Sequence, residues 1–324
     1  MTHPMLDIRP ATTDADLEAI VRVVNEVRPD EPITVAEMRW SDEKYPGGRR
    51  YLALLDGEPV GVGGAGRVYM FPPDYPAWWG NLSVLPEHRR RGVGSALLAA
   101  ISDAARDAGK SELMGRTTAD RPEAMAFLEH RGFHEYERMK VVRLEVDGKA
   151  PIPVDPPAGV VITSLEDRPD LVDGVYEVAK EALPDIPGEG PVAPDTLEEF
   201  RTREIDRPHV PHGGFAIALD AATGRVIGYA SLLLLSGGSR VAWHGMTAVA
   251  RAWRGRGLAG ALKRATIAWA RENGLEALEG ANDVDNAPMR AVNRRLGYLP
   301  RPDEIGVRGP LWSPASAPIR AAGA

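Results

Sequence analysis

The sequence repeats itself at about half its length, and this repeat limits the possible folds more than any other feature. The segment Arg89–Gly94 (Arg-Arg-Arg-Gly-Val-Gly) corresponds to Arg254–Ala259 (Arg-Gly-Arg-Gly-Leu-Ala), at an offset of 254 − 89 = 165 residues. A second pair, Gly132-Phe133 and Gly297-Tyr298, has the same offset, since 297 − 132 = 165. Matches at one constant spacing indicate a duplicated domain. The 324 residues suit two domains of about 150–170 residues each.

The region between the copies and the pattern within each copy define the predicted domains. Lys149–Gly159 contains four prolines and no helix or strand period, which is typical of an extended linker. We therefore predict an N-terminal domain over residues 1–150 and a C-terminal domain over residues 158–324. In copy one the patterns predict four strands, Leu6–Arg9, Tyr51–Leu55, Val60–Val68 and Trp79–Val84, with one helix that ends near Val27 and another after the arginine–glycine segment. Copy two repeats this order with strands Val160–Thr163, Phe215–Leu219, Val226–Leu234 and Val241–Val249, and with helices over Leu171–Leu183, over Thr196–Ile205 and from Leu258 to Trp269. This alternation predicts an α/β fold class, with a mixed sheet in each of two tandem domains.

The arginine–glycine segment has the features of an anion-binding loop in both copies. A predicted strand leads into it, and a helical pattern begins inside it. The first N–H groups of a helix have no internal partner and carry partial positive charge. Glycine allows close backbone approach to a diphosphate, and the arginines add side-chain charge. The alternative, that the glycines only allow close helix–sheet packing, explains one copy more easily than two.

Other phosphate-binding motifs do not fit this chain. A dinucleotide-binding fold expects Gly-x-Gly-x-x-Gly after the first strand, whereas the loop here follows the fourth. A nucleoside triphosphate loop needs Gly-Lys-Ser/Thr, which neither copy contains.

Composition excludes several further classes of protein. The net charge of −7 argues against a nucleic-acid-binding protein, and no segment is apolar for long enough to predict a membrane span. The absence of cysteine excludes disulfides, cysteine nucleophiles and thiolate metal sites, and no metal site is predicted. With no secretory signal recognisable at Met1–Pro4, these features favour a cytoplasmic protein.

On these motifs the chain resembles the GNAT N-acetyltransferase superfamily. Asn286–Tyr298 is similar to the second family motif, which runs from Asn-x-x-Ala/Met to Gly-Phe/Tyr, while the first copy lacks the leading Asn. The tandem arrangement is similar to that of the mycothiol synthase group of two-domain transferases. The resemblance implies that acetyl-CoA or another acyl-CoA binds between the fourth and fifth strands, with the fuller second copy as the active domain.

The resemblance also implies which residues bind the acyl-CoA. They are the strand and loop residues of both copies, together with the first residue of the second motif. In copy two these are Thr247, Val249, Arg254, Gly255, Arg256, Gly257, Leu258, Ala259 and Asn286, and in copy one Leu82, Val84, Arg89, Gly92 and Gly94.

The catalytic groups are predicted from the chemistry of the reaction. Attack of an amine on a thioester needs a neutral amine, hence a base, and a donor for the developing oxyanion. His244 is the predicted base, because a histidine titrates near neutrality, and Asp283 and Asp285 are the alternatives. The structural alternative is that His244 is a strand residue with a satisfied hydrogen bond and that the two aspartates shape the loop before Asn286. The superfamily often has a tyrosine acid four residues before the glycine of the second motif. This chain has Leu128 and Asn293 there, and Asn293 is predicted to hold a water molecule or the CoA sulfur.

Three functions remain open from the sequence. The leading hypothesis is transfer of an acetyl or other short acyl group from acyl-CoA to a primary amine of a small molecule. The others are an aminoacyl (peptidoglycan-type) transferase and a non-catalytic acyl-CoA-binding or regulatory module. The loops that carry Glu189, Asp195, His209 and His212 are predicted to cover the acceptor. The sequence identifies neither the acceptor nor the oligomeric state.

Overall fold

The computed structural model describes residues 5–69, 71–146, 153–185 and 196–314. Glu189, Asp195 and the first part of the predicted linker therefore lie outside the described residues. The strands are β1 Leu6–Pro10, β2 Arg49–Leu55, β3 Glu58–Arg67, β4 Ala77–Val84, β5 Glu112–Thr118, β6 His134–Glu145, β7 Val160–Ser164, β8 Ala216–Asp220, β9 Val226–Leu234, β10 Val241–Val249, β11 Ala277–Asp283, β12 Leu299–Pro300 and β13 Glu304–Pro310. The helices are α1 Asp14–Val27, α2 Val35–Lys44, α3 Val93–Asp107, α4 Pro122–Glu129, α5 Val172–Ala182, α6 Leu197–Phe200, α7 Leu258–Glu272 and α8 Ala287–Arg295.

The chain divides into two compact units. Unit 1 comprises Met1–Glu137 and Ile305–Ala324, and unit 2 comprises Arg138–Glu304. Each unit is an α/β structure with a mixed sheet, as the repeat predicts, and the predicted fold class is confirmed. The strand order is β1-β2-β3-β4-β5-β13 in unit 1 and β7-β8-β9-β10-β11-β6 in unit 2, where β12 also pairs with β6.

In unit 1 the sheet is covered by helices on both faces. Thr13 caps α1 through a capping box with Asp16, and the helix then buries Ile20 and Val23 against one face of the sheet. The helix α3 buries Val93 and Leu97 against Ala53 and Val60 on the other face. The β-strands thus form the middle of three layers.

Unit 2 has the same arrangement. The helix α5 packs Val175 and Val178 on one sheet face, against Ile217 of β8 and Tyr229 of β9. The helix α7 packs on the other face, where Leu258, Ala261 and Leu262 are buried together with residues of β8 and β9. Because α7 follows the second arginine–glycine loop, this packing holds the loop at the end of β10.

The compact units differ from the predicted boundaries at residues 150 and 158. The strand β6 leaves unit 1 after Glu137, and its remaining residues pair antiparallel with β11, from Met139↔Asp283 to Glu145↔Ala277. The last strand, β13, lies next to β5 in unit 1, where Ile305, Val307 and Trp312 join the core. A repeat shows that two segments are similar but not which strands pair. The sequence pattern therefore could not reveal that β6 pairs with β11 or that β13 lies beside β5.

Two negative findings apply to the described part of the chain. None of its helices combines the length and apolar character that crossing a bilayer requires. It also contains no cluster of three or more His, Asp or Glu side chains arranged to hold a metal ion.

Candidate active site

The second arginine–glycine loop forms the N-terminus of α7. Gly257 is the N-cap residue with φ of 83°, and Gly255 has φ of 76°. Both values lie in the left-handed region, which glycine adopts without a steric penalty. Arg254 donates from Nε to the carbonyl of Val249 at 3.0 Å, which ties the loop to the end of β10. A Cβ atom on Gly255 or Gly257 would meet no atom within 4 Å, so the space beside the unpaired N–H groups of the first helical turn is open.

The first loop has nearly the same shape in unit 1. Gly92 caps α3 with φ of 85°, and Arg89 donates from Nε to the carbonyl of Val84 at 3.2 Å. The residue equivalent to Gly255 is Arg90, which adopts φ of 62°. A side chain in this region costs about 1–2 kcal/mol. Gly94 follows the cap and packs against Phe127 of α4.

The two central parallel strands diverge in both units. In unit 2, β10 pairs with β11 only from Val241↔Ala277 to Trp243↔Glu279, although both strands continue. In unit 1, β4 pairs with β5 only from Ala77↔Glu112 to Trp79↔Met114. Each pair therefore opens into a split beside the anion-binding loop.

In unit 2 the strand β10, which borders the split, has a β-bulge. The register of β10 against β9 shifts between His244 and Thr247, so that Gly245 and Met246 oppose Ser231 alone. A Cβ atom on Gly245 would lie 2.3 Å from the Ser231 hydroxyl, so this close approach requires glycine. In unit 1, β3 and β4 pair without a shift. Bulges redirect backbone groups and are frequent beside active sites.

The predicted strand residues present their backbone polar groups to the splits. Ala250 N–H donates to the Ile227 carbonyl, and Leu85 N–H donates to the Val60 carbonyl. Hydrogen-bonded and non-hydrogen-bonded pairs alternate along an antiparallel ladder. The N–H and C=O groups of Thr247 and Val249, and of Leu82 and Val84 in unit 1, therefore point away from the neighbouring antiparallel strand and toward the split. On that side the Val249 carbonyl accepts from Arg254 and the Val84 carbonyl from Arg89. This frees the Thr247 N–H to stabilise an anion.

His244 is buried at the point where β10 and β11 diverge, with 6% of its surface exposed. Its Nε2 is hydrogen-bonded to the Tyr298 hydroxyl, and its Nδ1 is buried without a partner among the described residues. Burial, with a smaller contribution from Lys263, lowers the pKa of His244 well below its usual 6.5. The sequence suggested titration near neutrality, but the structure keeps this imidazole neutral there.

A second buried group lies beside this pair. Lys263 of α7 is 3% exposed, and its Nζ donates to Asn293 Oδ1 at 2.6 Å and lies 4.9 Å from the centre of the Tyr298 ring. Asn293 donates in turn from Nδ2 to Asn282 Oδ1 of β11 at 2.6 Å. Burial lowers the pKa of Lys263 to about 7. We call the five residues His244, Lys263, Asn282, Asn293 and Tyr298 the polar network of unit 2.

The equivalent positions of unit 1 are mostly apolar. Subtracting the offset of 165 from Lys263, Asn293 and Tyr298 gives Leu98, Leu128 and Phe133. These three side chains pack in one hydrophobic cluster, in which Leu98 and Phe133 are buried and Leu128 is partly buried. The fold therefore does not require polar residues at these positions, and the polar network distinguishes unit 2.

The acidic candidates of the sequence shape the loop before α8. Asp283 accepts a hydrogen bond from Asp285 N–H at 2.7 Å, and Asp285 is exposed. Asn286 is the N-cap of α8 and accepts from Met289 N–H at 3.2 Å. Asn286 thus caps α8, and its binding to the cofactor stays a prediction.

A carboxylate occupies the arginine side of the unit 2 loop. Asp185 accepts two hydrogen bonds from Arg251, each of 2.9 Å, and one of 2.7 Å from Arg254. The bonds from Arg251 and then Arg254 lower the pKa of Asp185 to about 2. Arg256 instead lies over the Trp253 ring, 4.7 Å from its centre. No carboxylate of the described chain pairs with Arg89 in unit 1.

Sequence reasoning missed Lys263, Asn282, Tyr298 and Asp185. The repeat contained a signal for Lys263 and Tyr298, because each aligns with a large apolar residue of copy one. Lys263 is also spaced by three, four and seven residues from the buried Thr266, Ile267 and Ala270 of α7. Asp185 had no such signal, since its partners lie 66 and 69 residues away.

The residues of unit 2 fit an acyl-CoA. The loop offers helix N–H groups and a guanidinium to a diphosphate, and the split offers strand N–H and C=O groups to an amide-containing arm. These are the groups that the chemistry of the ligand requires.

Comparisons with known proteins agree with this fit. A model of the acetyltransferase (GNAT) family matches residues 17–133 and 174–298. A protein named mycothiol acetyltransferase from Salinispora tropica is 30% identical over 224 residues, which cover 67% of this chain and 68% of that protein. Its namesake from Thermobispora bispora is 27% identical over 294 residues, covering 88% and 93%. A solved tandem GNAT protein from the clavulanic acid biosynthesis pathway has a TM-score of 0.76 at 24% identity, covering 95% of this chain and 99% of that one, which supports the fold.

Proposed function

Because the chain belongs to the acetyltransferase (GNAT) family, we propose that its unit 2 transfers an acetyl group from acetyl-CoA to the primary amine of a small molecule. Family membership makes the chain an acyl-CoA-dependent N-acetyltransferase. We further propose that acetyl-CoA is the donor, that unit 2 is the active unit and that the acceptor is a small-molecule amine.

The observation that carries the proposal is the combination, in unit 2, of the split, the bulge and the anion-binding loop. The loop would hold the diphosphate of CoA at the N-terminus of α7 through Arg254–Leu258. The backbone of Thr247 and Val249 would pair with the pantetheine arm. The Thr247 N–H would then stand at the thioester oxygen, where one well-placed donor contributes about 10²–10³ in rate.

His244 is the proposed proton acceptor for the attacking amine. It lies where the strands diverge, one residue before the bulge. The tautomer that donates Nε2–H to the Tyr298 oxygen leaves the lone pair of Nδ1 to accept the proton. Because burial keeps the imidazole neutral, it would be ready to act throughout the physiological pH range. Asp283 would act at most indirectly, since its side chain shapes the loop before α8.

The names of the relatives support the choice of the first acceptor to test. The relatives are named for mycothiol, so an amine of the mycothiol type is the first acceptor to test. Unit 1 has the anion-binding loop but neither the bulge nor the polar network, and we propose that it binds acyl-CoA without turnover.

The test is incubation of the protein with acetyl-CoA and a panel of amines that includes amino sugars, amino acids and mycothiol-type amines. Released CoA is followed with a thiol reagent. The chain has no cysteine, so the protein contributes no thiol signal. Mass spectrometry should find the acceptor heavier by one acetyl group. CoA binding without transfer to any amine would favour the non-catalytic binding module instead.

A further inference from the structure

The polar network of unit 2 contains a buried lysine that the proposed chemistry does not yet use. We propose that Lys263 is the acid that protonates the CoA thiolate as it leaves. This inference rests on the proposed function, because it assigns a residue to the same reaction.

The position of Lys263 is the first support. It lies on α7 five residues after Leu258, about 7.5 Å along the helix axis from the end of the anion-binding loop. Asn293 joins its Nζ to Asn282, three residues beyond the last pairing between β11 and β10. The Tyr298 ring lies against the same Nζ, and the Tyr298 hydroxyl contacts His244 on β10. Lys263 is thus linked to both strands that border the split.

The comparison of the two copies is the second support. A buried ammonium without a carboxylate partner is less favourable than a well-packed apolar residue. Unit 1 has Leu98 at this position, in a cluster with Phe133 and Leu128, so the fold accepts the apolar alternative. Within the described residues, no carboxylate lies within ion-pair distance of Lys263. The fold therefore does not need the polar network for its stability.

The proton transfer is chemically balanced. The acceptor nitrogen forms a bond to the carbonyl carbon, and its surplus proton goes to His244. The C–S bond then breaks, sulfur leaves with the electron pair, and a proton of the Lys263 ammonium joins the sulfur. Solvent afterwards restores the proton to Lys263 and removes the one on His244.

The environment of Lys263 suits this direction of transfer. An ordinary lysine has a pKa of about 10.4 and a thiol about 8.5, so an unperturbed ammonium is too weak an acid for a thiolate. Burial lowers the pKa of Lys263 to about 7, which makes the transfer favourable. The titratable groups that face it are His244 from β10 and Tyr298 from the segment after α8. The remaining contacts, Asn293 and Asn282, are neutral amides.

The first experiment compares CoA with desulfo-CoA, in which hydrogen replaces the thiol, by calorimetry at pH 6.5, where the Lys263 ammonium is populated. We expect the wild-type protein to bind CoA about tenfold more tightly, through a charge-assisted contact between sulfur and Lys263. The variant Lys263→Leu, which introduces the residue found at this position in unit 1, should bind both ligands equally. If it loses affinity for both ligands to the same extent, Lys263 is merely structural and the proposal fails.

The second experiment measures kcat against pH with one saturating acceptor. The ratio of wild-type to Lys263→Leu kcat cancels the titration of the acceptor. It should be about 100-fold at pH 6.5, where the ammonium is populated, and approach unity near pH 9. A ratio that does not change with pH would overturn the proposal. Lys180→Leu, which removes an exposed lysine of α5, serves as the charge control and should match wild type.

The variant Asn293→Asp tests the same idea without removing the lysine. A carboxylate beside the ammonium raises the pKa of Lys263, so the alkaline fall in kcat should move up by about one pH unit or more. An unshifted fall would contradict the proposal, even if Lys263→Leu did not fold. A wild-type protein that acetylates no amine would refute the proposed function, whereas an active enzyme with unchanged thiol preference would refute only the role of Lys263.

Discussion

The two cap glycines offer a matched test of which unit binds acyl-CoA. Gly257 and Gly92 have φ of 83° and 85°, and a Cβ atom at either position meets no atom within 4 Å. A valine therefore imposes nearly the same backbone strain in each unit, about 1–3 kcal/mol. In unit 2 its side chain would also project toward the proposed diphosphate position.

We predict that Gly257→Val weakens CoA binding to unit 2 by about 3 kcal/mol, which is roughly 100-fold in Kd. This equals the loss of one or two charge-assisted hydrogen bonds. Gly92→Val should lower thermal stability to the same extent, by about 2–4 °C for each kcal/mol in a unit of this size. Its effect on CoA should be confined to the non-catalytic site, with kcat/KM retained.

The assays are calorimetry with CoA, thermal unfolding and steady-state kinetics for both variants. Equal strain makes each variant the stability control for the other. Unchanged CoA affinity and kcat/KM in Gly257→Val would refute the assignment of the loop. A loss of kcat/KM in Gly92→Val equal to that in Gly257→Val would move the active site to unit 1.

Three further predictions concern charge and chain connectivity. His244 stays neutral in the folded state while the unfolded chain takes up a proton below pH 6.5, so this residue lowers the free energy of unfolding as pH falls below that value. The free energy of unfolding of His244→Gln, measured by chemical denaturation, should lack this pH-dependent contribution, which is up to about 1.4 kcal/mol per pH unit. If wild type and variant showed the same pH dependence, the burial of a neutral His244 would be contradicted. Asp185→Asn should tighten CoA binding several-fold at low salt, because Asp185 competes with a diphosphate for Arg254. Calorimetry checks this, with Glu177→Gln as the control for removal of a surface carboxylate. Weaker binding would show that Asp185 instead holds Arg254 in place. A fragment of residues 138–304 should unfold cooperatively, whereas a fragment of residues 158–324 should not, because the second fragment lacks the β6 segment that pairs with β11. Thermal unfolding checks this, and the opposite result would contradict the division into units.

The repeat and the local patterns were sufficient for much of the fold. A helix cap, a turn or an apolar period depends on residues a few positions apart, so the strands from β1 to β4 and the helices α1, α3, α5 and α7 were recognisable. The helix α2 was not predicted, since only Met38 is buried in it and its apolar pattern is weak. The segment from Thr196 to Ile205 was predicted as one helix, but it is a short α-helix continued by a π turn.

The anion-binding loop could likewise be located from sequence, because its function depends on contiguous residues. Glycine at positive φ, an arginine and a helix start are all encoded within six positions. The resemblance to the family then pointed to the strand residues Thr247 and Val249. Their backbone orientation toward the split follows from the pairing of β9 with β10.

What the tertiary structure alone decided is the chemistry of the buried side chains and the exchange of strands. A sequence shows a lysine at position 263 but not that Asn293 and Tyr298, 30 and 35 residues away, surround its ammonium. Nor does it show how far burial lowers the pKa values of Lys263 and His244, because desolvation is a property of the folded surroundings. The pairing of β6 with β11 and the place of β13 beside β5 depend on long-range strand contacts, for which the local sequence contains no signal.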